Sequence, residues 1–366
     1  MLIKNIIEHL EDIAPPSYQE TYDNTGLITG ADDWLCSGVL ISLDATEAVV
    51  REAIHKNCNL VVAHHPILFS SLKKLNGKNY IEQALITAIK NDIAIYAIHT
   101  NLDNVKAGVN GRIADLLGLQ HRFIMQPKAG ALKKIYAFIP VTHAEQVSNA
   151  IFIAGGGQIG NYSECSFSVE GVGSFKAGAG THPFAGKEGQ RHYEKELRLE
   201  VVFPAHLEKK LIEALIKAHP YEEVAFDVIE LANEYQGLGA GLIGELEQPM
   251  NEPAFLQLLK DRFRLQVIRH TPLLSKQVKR IAVCGGSGSL LLSRALALQA
   301  DVFITADLRY HTFFDANGRM VIADIGHYES EQFTIDLIHE VLNAKFPTFA
   351  LLKTECNTNP VNYFLG

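Results

Sequence analysis

A run of four apolar residues, Leu60-Val61-Val62-Ala63, ends in His64-His65-Pro66. Adjacent side chains on a continuous strand point to opposite faces. Two consecutive imidazoles can serve one site only where the strand breaks up, and Pro66 provides the break: it donates nothing to a ladder and keeps His65 extended. Histidines at the C-terminal edge of a strand suit metal ligation, and two further segments supply more donors. Asp103 closes His99-Thr100-Asn101-Leu102-Asp103. Gly326-His327-Tyr328-Glu329-Ser330-Glu331 sets His327 and Glu331 four residues apart, on one face of a helix. Three imidazoles and two carboxylates exceed the three protein ligands of a catalytic zinc, which keeps one position open. The set suits two divalent ions about 3.5–4 Å apart that share a bridging carboxylate. Its donors fit Zn, Mn, Fe, Co or Ni without choosing among them.

Residues around this set read as supporting groups. His99 reads as a donor that holds Asp103, and Asp324 as a carboxylate in support of His327. Glu329, two residues from both His327 and Glu331, faces elsewhere on a helix. Cys284-Gly285-Gly286-Ser287-Gly288 follows a strand and opens a helix. It lacks GxGxxG and the P-loop lysine, so a tight turn is the better reading than a phosphate cradle. Asp307 and His311 form a further pair at helical spacing, able to contact a substrate. His182, His192, His206 and His219 have no ligand spacing and read as surface or loop residues. GxSxG and HExxH are both absent, which argues against a serine hydrolase and a zinc peptidase.

The elements that must position these groups follow from periodicity. Ile3, Ile6, Ile7 and Leu10 mark an amphipathic helix over 3–13, stopped by Pro15-Pro16. Strands are expected at 38–43, 60–63 and 93–98, with helices at 47–56 and 80–91 between them. That alternation indicates a mostly parallel α/β sheet. From Pro127 the rhythm changes to strand 134–141, helix 144–154, strands 165–170 and 196–203, helix 206–219 and strand 224–231. This βαββαβ order is that of a ferredoxin-like unit, with a mobile hairpin loop over 175–192. The α/β pattern resumes with strands at 241–246, 266–270, 279–284, 301–305 and 320–324 and a closing helix at 329–344. The expected organisation is an α/β domain of one sheet system built from 1–126 and 236–366, interrupted by an inserted α+β domain over 127–235.

Composition agrees with a globular chain. At 366 residues it is long enough for two domains, with 47% hydrophobic and 20% charged residues. A net charge of −8 argues against a general nucleic-acid surface. Five scattered cysteines without CxxC suit a reducing compartment, and neither a secretory signal nor an 18-residue apolar run is present. A cytoplasmic location is the expectation.

Four segments in order, Asp23-Asn24-Thr25-Gly26-Leu27, Ala63-His64-His65-Pro66, His99 to Asp103 and Gly326 to Glu331, resemble the GTP cyclohydrolase I type 2 homologues, also called Nif-three-like dinuclear metal-centre proteins. The resemblance spans nearly the whole chain and includes the insert, which is similar to the signalling-protein and copper-tolerance fold of longer members. It implies that His65 and Asp103 hold one ion, His64 and His327 the other, and that Glu331 bridges them. It also implies a homohexameric ring with the metal sites facing an internal cavity. The function it implies is metal-dependent hydrolysis of a nucleotide or other phosphorylated small molecule; the alternative is a non-catalytic metal scaffold or carrier. Because the overall charge would not attract a nucleotide, Arg309, Lys73 and Lys74 are the candidate local cations.

Overall fold

The computed structural model describes residues 1–364. The chain is mixed α/β, with parallel and antiparallel strands, and divides into two compact units, Met1–Pro127 with Gln236–Gly366, and Lys128–Tyr235.

In the first unit the amphipathic helix forms over Ile3–Ile13 and buries Ile3, Ile6, Ile7 and Leu10. Thr46 and Asn79 cap the helices Glu47–His55 and Tyr80–Lys90, each side chain accepting a backbone N–H of the first turn. Strands Val39–Ser42, Leu60–Ala63 and Ala94–Ala97 are buried at every position and pair in parallel. Both faces are covered, as the continuous apolar runs require. Alternate residues divide between two cores: Val39, Ile41, Leu60, Val62 and Tyr96 face one, and Leu40, Val61, Ala63 and Ile95 the other.

The single sheet system expected from the sequence is in fact two sheets. Gly26–Thr29, Ala94–Ala97, Leu60–Ala63, Val39–Ser42 and Leu351–Lys353 form a five-stranded sheet that is parallel except at the Gly26–Thr29 edge. The second has six strands, in the order Arg269–His270, Val321–Asp324, Val302–Ala306, Gln277–Ser287, Gly239–Asn251 and Gln120–Pro127. Only its Gln277–Ser287, Val302–Ala306 and Val321–Asp324 strands pair in parallel. The chain crosses between sheets twice: Gln120–Pro127 joins the second sheet from the N-terminal portion, and Leu351–Lys353 joins the first from the C-terminal portion. A shared core holds them, with Ile41, Val62 and Tyr96 from one and Ile281, Ile304 and Val321 from the other. The closing helix is two helices, His327–Glu331 and Thr334–Lys345.

The second unit is a four-stranded antiparallel sheet with its own core, in which Ile135, Ile139, Leu199 and Phe203 of the sheet meet Val147, Ile151, Leu211 and Leu215 of two helices. Its hairpin strands are longer than their alternation suggests, Ser166–Lys176 and Arg191–Pro204, so the intervening loop is confined to 177–190. Among the described residues no helix is long and apolar enough to cross a membrane.

Candidate metal centre

Three strand ends of the first unit converge on one cleft of about 1280 Å³. Leu60–Ala63 delivers His64 and His65. Ala94–Ala97 runs into the one-turn helix Thr100–Asp103, and Val321–Asp324 runs through Gly326 into the helix His327–Glu331. His65 Nε2 lies 2.9 Å and His327 Nε2 3.0 Å from the same Glu331 oxygen. His64 Nε2 lies 3.9 Å from that oxygen and 3.6 Å from Asp103 Oδ1. All five sequence-designated residues therefore meet around Glu331 Oε2.

Each histidine is fixed by its far nitrogen. His64 Nδ1 is 2.8 Å from the Ile98 carbonyl, His65 Nδ1 2.8 Å from Asp44 Oδ1, and His327 Nδ1 2.6 Å from Asp307 Oδ2. A carbonyl or carboxylate at Nδ1 places the proton there and turns Nε2 inward as a lone-pair donor, the arrangement of metal-ligating histidines. The fit to a cation rests on what is left over. His64 Nε2 and Asp103 Oδ1 are buried without any hydrogen-bond partner. Leaving such atoms unpaired costs on the order of 1–3 kcal/mol each. The groups His65–His327–Glu331 and His64–Asp103–Glu331 each bring three ligand atoms within 4.8 Å of one another, so the buried His, Asp and Glu side chains can hold a metal ion.

Electrostatics reinforce this in the metal-free chain. Burial drives His64 down to about 3. Burial would also lower His65 and His327, but hydrogen bonds from Asp44, Asp307 and Glu331 outweigh it and raise them to about 9 and about 11. Burial and the neighbouring Glu331 charge push Asp103 well above the carboxylate range. Glu331 goes the other way: burial opposes its charge, but the hydrogen bonds of His327 and His65 hold it well below its usual value.

A glycine makes room for the centre. Gly286, at φ +58°, has the space of its missing Cβ only 2.4 Å from Glu331 Oε1.

Several supporting groups differ from expectation. His99 does not hold Asp103; its Nδ1 is 2.8 Å from Asp23 Oδ1. Asp23 also accepts from Thr100, and these bonds outweigh burial to keep it at about 2. Asp307 is not paired with His311. It sits at φ +57°, outside any helix, and turns to His327, while His311 packs against Tyr310 and Phe314. Asp324 bonds Arg269 at 3.0 Å and the backbone of Leu308 and Gly326, shaping the turn before His327. Glu329 points away from Glu331, to the Asn359 amide. The glycine loop is the tight turn expected: the N–H groups of Gly285, Gly286 and Gly288 donate to Asn110, Ser330 and Thr305. Lys73, Lys74 and Arg309 do not line the cleft. Asp44, which no motif of the sequence singles out, reaches His65 from just beyond the end of the neighbouring strand Val39–Ser42.

The whole chain has known relatives. The family model Duf34/NIF3 (NGG1p interacting factor 3) matches residues 1–360. A Bacillus subtilis protein named GTP cyclohydrolase 1 type 2 homolog is 37% identical over 366 residues, covering 98% of each chain. A Halalkalibacterium halodurans protein of the same name is 39% identical over 326 residues, 88% of each. The crystal structure of a Bacillus cereus protein related to NIF3 superposes with a TM-score of 0.88 at 38% identity, covering 100% of this chain and 99% of that one. The chain therefore belongs to the DUF34/NIF3 family.

Proposed function

We propose that the cleft binds two divalent ions and that the chain is a metal-dependent hydrolase of a small molecule. The observation that carries this reading is the orphaned pair, His64 Nε2 and Asp103 Oδ1, sealed from solvent beside a carboxylate that already faces two imidazoles. By the family resemblance, His65 and Asp103 would hold one ion, His64 and His327 the other, and Glu331 both; without an ion, His64 lies beside Asp103 and His65 beside His327. Five protein ligands shared by two ions leave each of them open to water and substrate, as a catalytic site requires. When bound, such a pair supplies Lewis acidity and makes water nucleophilic near neutral pH.

The chain's own residues do the rest. Asp44, Asp307 and the Ile98 carbonyl hold a proton on each Nδ1 and aim each Nε2 inward. His99, oriented by Asp23, lines the cleft with its ring 5.4 Å from that of His65, where it can exchange a proton with a leaving group.

The unit 128–235 belongs to the same proposal as an inserted ferredoxin-like domain, supported by its β-α-β-β-α-β order and antiparallel sheet. A homohexamer is proposed from the family resemblance, and light scattering that gives a monomer mass at micromolar concentration removes it.

Elemental analysis of the purified chain, paired with turnover of a panel of small esters, amides and phosphoesters of cationic, neutral and anionic charge after reconstitution with Mn, Zn, Fe or Co, tests the main reading. About two ions per chain and turnover lost in His64→Ala, Asp103→Ala and Glu331→Ala are expected. Full loading without hydrolysis of any small molecule replaces the hydrolase with a metal scaffold or carrier.

A further inference from the structure

Carboxylates outnumber cationic side chains in the cleft lining. Asp103 and Glu331 lie among the candidate ligands, Asp44 and Asp307 behind the imidazoles, and Glu20 and Glu329 on the walls. Asp324 is the seventh lining carboxylate. Its partner Arg269 is the one guanidinium, and no lysine lines the cleft. Two divalent ions would add four positive charges and still leave the lining with an excess of two negative ones.

An anion finds no other welcome. The three glycine-loop N–H groups that could cradle a phosphate are spent on Asn110, Ser330 and Thr305. What the walls do offer is aromatic. Tyr22 is 69% exposed, Phe69 56% and Tyr80 66%, and all three line the cleft. Tyr363 bonds Glu329 through its hydroxyl. Glu329 is thus held by that hydroxyl and by the Asn359 amide, neither of them cationic. Open aromatic faces beside carboxylates recognise organic cations, by ring quadrupole and by charge-assisted hydrogen bonds. Independently of these charges, the fully buried His64 Nε2 is unpartnered and lies 3.6 Å from Asp103, which lines the cleft, so a ligand is wanted at that end of it.

Resting on the hydrolase reading above, we propose that the ligand of this cleft is a small organic molecule bearing a cationic nitrogen, and that nucleoside polyphosphates are rejected. Glu329 is the wall carboxylate that selects for the cation.

Calorimetric titration of the full chain with phenyltrimethylammonium and with benzenesulfonate tests this. Both probes carry one aromatic ring, their charges are opposite, and neither is a strong metal ligand. The titrations are run on ion-loaded and ion-free protein, with metal content measured in each. The cation should bind at least about tenfold tighter, a difference of about 1.4 kcal/mol. Its affinity should fall with added salt while that of the anion does not. Glu329→Gln should cut the preference several-fold with metal content unchanged. Equal or tighter benzenesulfonate binding overturns the proposal, as does binding of neither probe at millimolar concentration, or a preference unmoved by Glu329→Gln in a folded variant. A chain that takes up no ion defeats the hydrolase reading, while the charge preference is still decided on the ion-free protein.

Discussion

At the scale of single residues, the candidate centre is a set of bases that, on the proposed reading, exchange protons for metal. The raised His65 and His327 imidazoles carry protons near neutral pH where cations would otherwise sit. Metal uptake must expel these protons, so apparent affinity should climb as pH rises from neutrality toward 9, the value at which His65 titrates. The metal-free chain should move in the opposite direction. A histidine whose pKa is raised on folding contributes stability below its unfolded value of 6.5, and that contribution is lost as pH passes through about 9. Thermal unfolding with and without chelator, scanned from pH 6.5 to 9, should therefore show stabilisation by metal widening with pH. A gap that narrows would mean the protons are elsewhere. Asp44 belongs to the same chemistry. It accepts from Thr358 on one oxygen and meets His65 on the other. Asp44→Asn should weaken metal binding about 10–100-fold in a chelator competition, the usual cost of losing a partner behind a ligating histidine. Of this set the sequence displayed the candidate ligands, which the structure brings together, but not the groups behind them. His64, His65, Asp103, His327 and Glu331 stand at strand ends or at helical spacing. Asp44 and Asp307 reach their histidines across 21 and 20 residues of chain, and no local pattern announces such a partner.

At the scale of elements, the parts with a strong period were legible and those recruited by a distant partner were not. The helix Ile3–Ile13 and the buried strands Leu60–Ala63 and Ala94–Ala97 carry their own patterns. Gln120–Pro127 has little alternation, and it is a strand because Gly239–Asn251, more than 100 residues on, pairs with it. The break between His327–Glu331 and Thr334–Lys345 was equally hidden. Ser330 donates to the His327 carbonyl and accepts from Gly286, pinning the short helix to the glycine loop. That contact makes Gly286 a structural part of the centre. Gly286→Ala adds a methyl 2.4 Å from Glu331 Oε1 at a left-handed backbone position. Strain there costs about 1–2 kcal/mol, and the carboxylate must also move. Elemental analysis of this variant should show loss of both ions. Gly118→Ala isolates the cause: its φ of +66° carries similar strain, but nothing lies within 4 Å of the new methyl. If Gly118→Ala sheds metal equally, backbone strain and not the displaced carboxylate is responsible.

At the scale of the whole molecule, the unit 128–235 raises the question of what the first unit needs in order to fold. Its own core, from Ile135 to Leu215, draws no residue from outside that range. The first unit has its metal-centre elements on both sides of the interruption, with His64, His65 and Asp103 before it and His327 and Glu331 after. Its two ends at the interruption are already joined: Pro127 pairs with Gly239 and Gln126 with Ala240 across an antiparallel ladder. Antiparallel partners stand about 5 Å apart, so a short Gly/Ser linker from Pro127 to Gln236 spans the gap without strain. Compact units with close ends tolerate removal and insertion. The shortened chain should unfold cooperatively and keep its full complement of ions, since none of the five candidate ligands and none of their supporting carboxylates lies between 128 and 235. Circular dichroism and elemental analysis of that protein decide the matter. An insoluble product, or one that folds but has lost its ions, would mean that residues 128–235 help to hold the core or the centre. A folded product with both ions retained would leave the metal chemistry entirely to the two flanking portions, which meet through the crossed strands Gln120–Pro127 and Leu351–Lys353, through the core those strands close, and at the centre itself, where His65 faces Glu331.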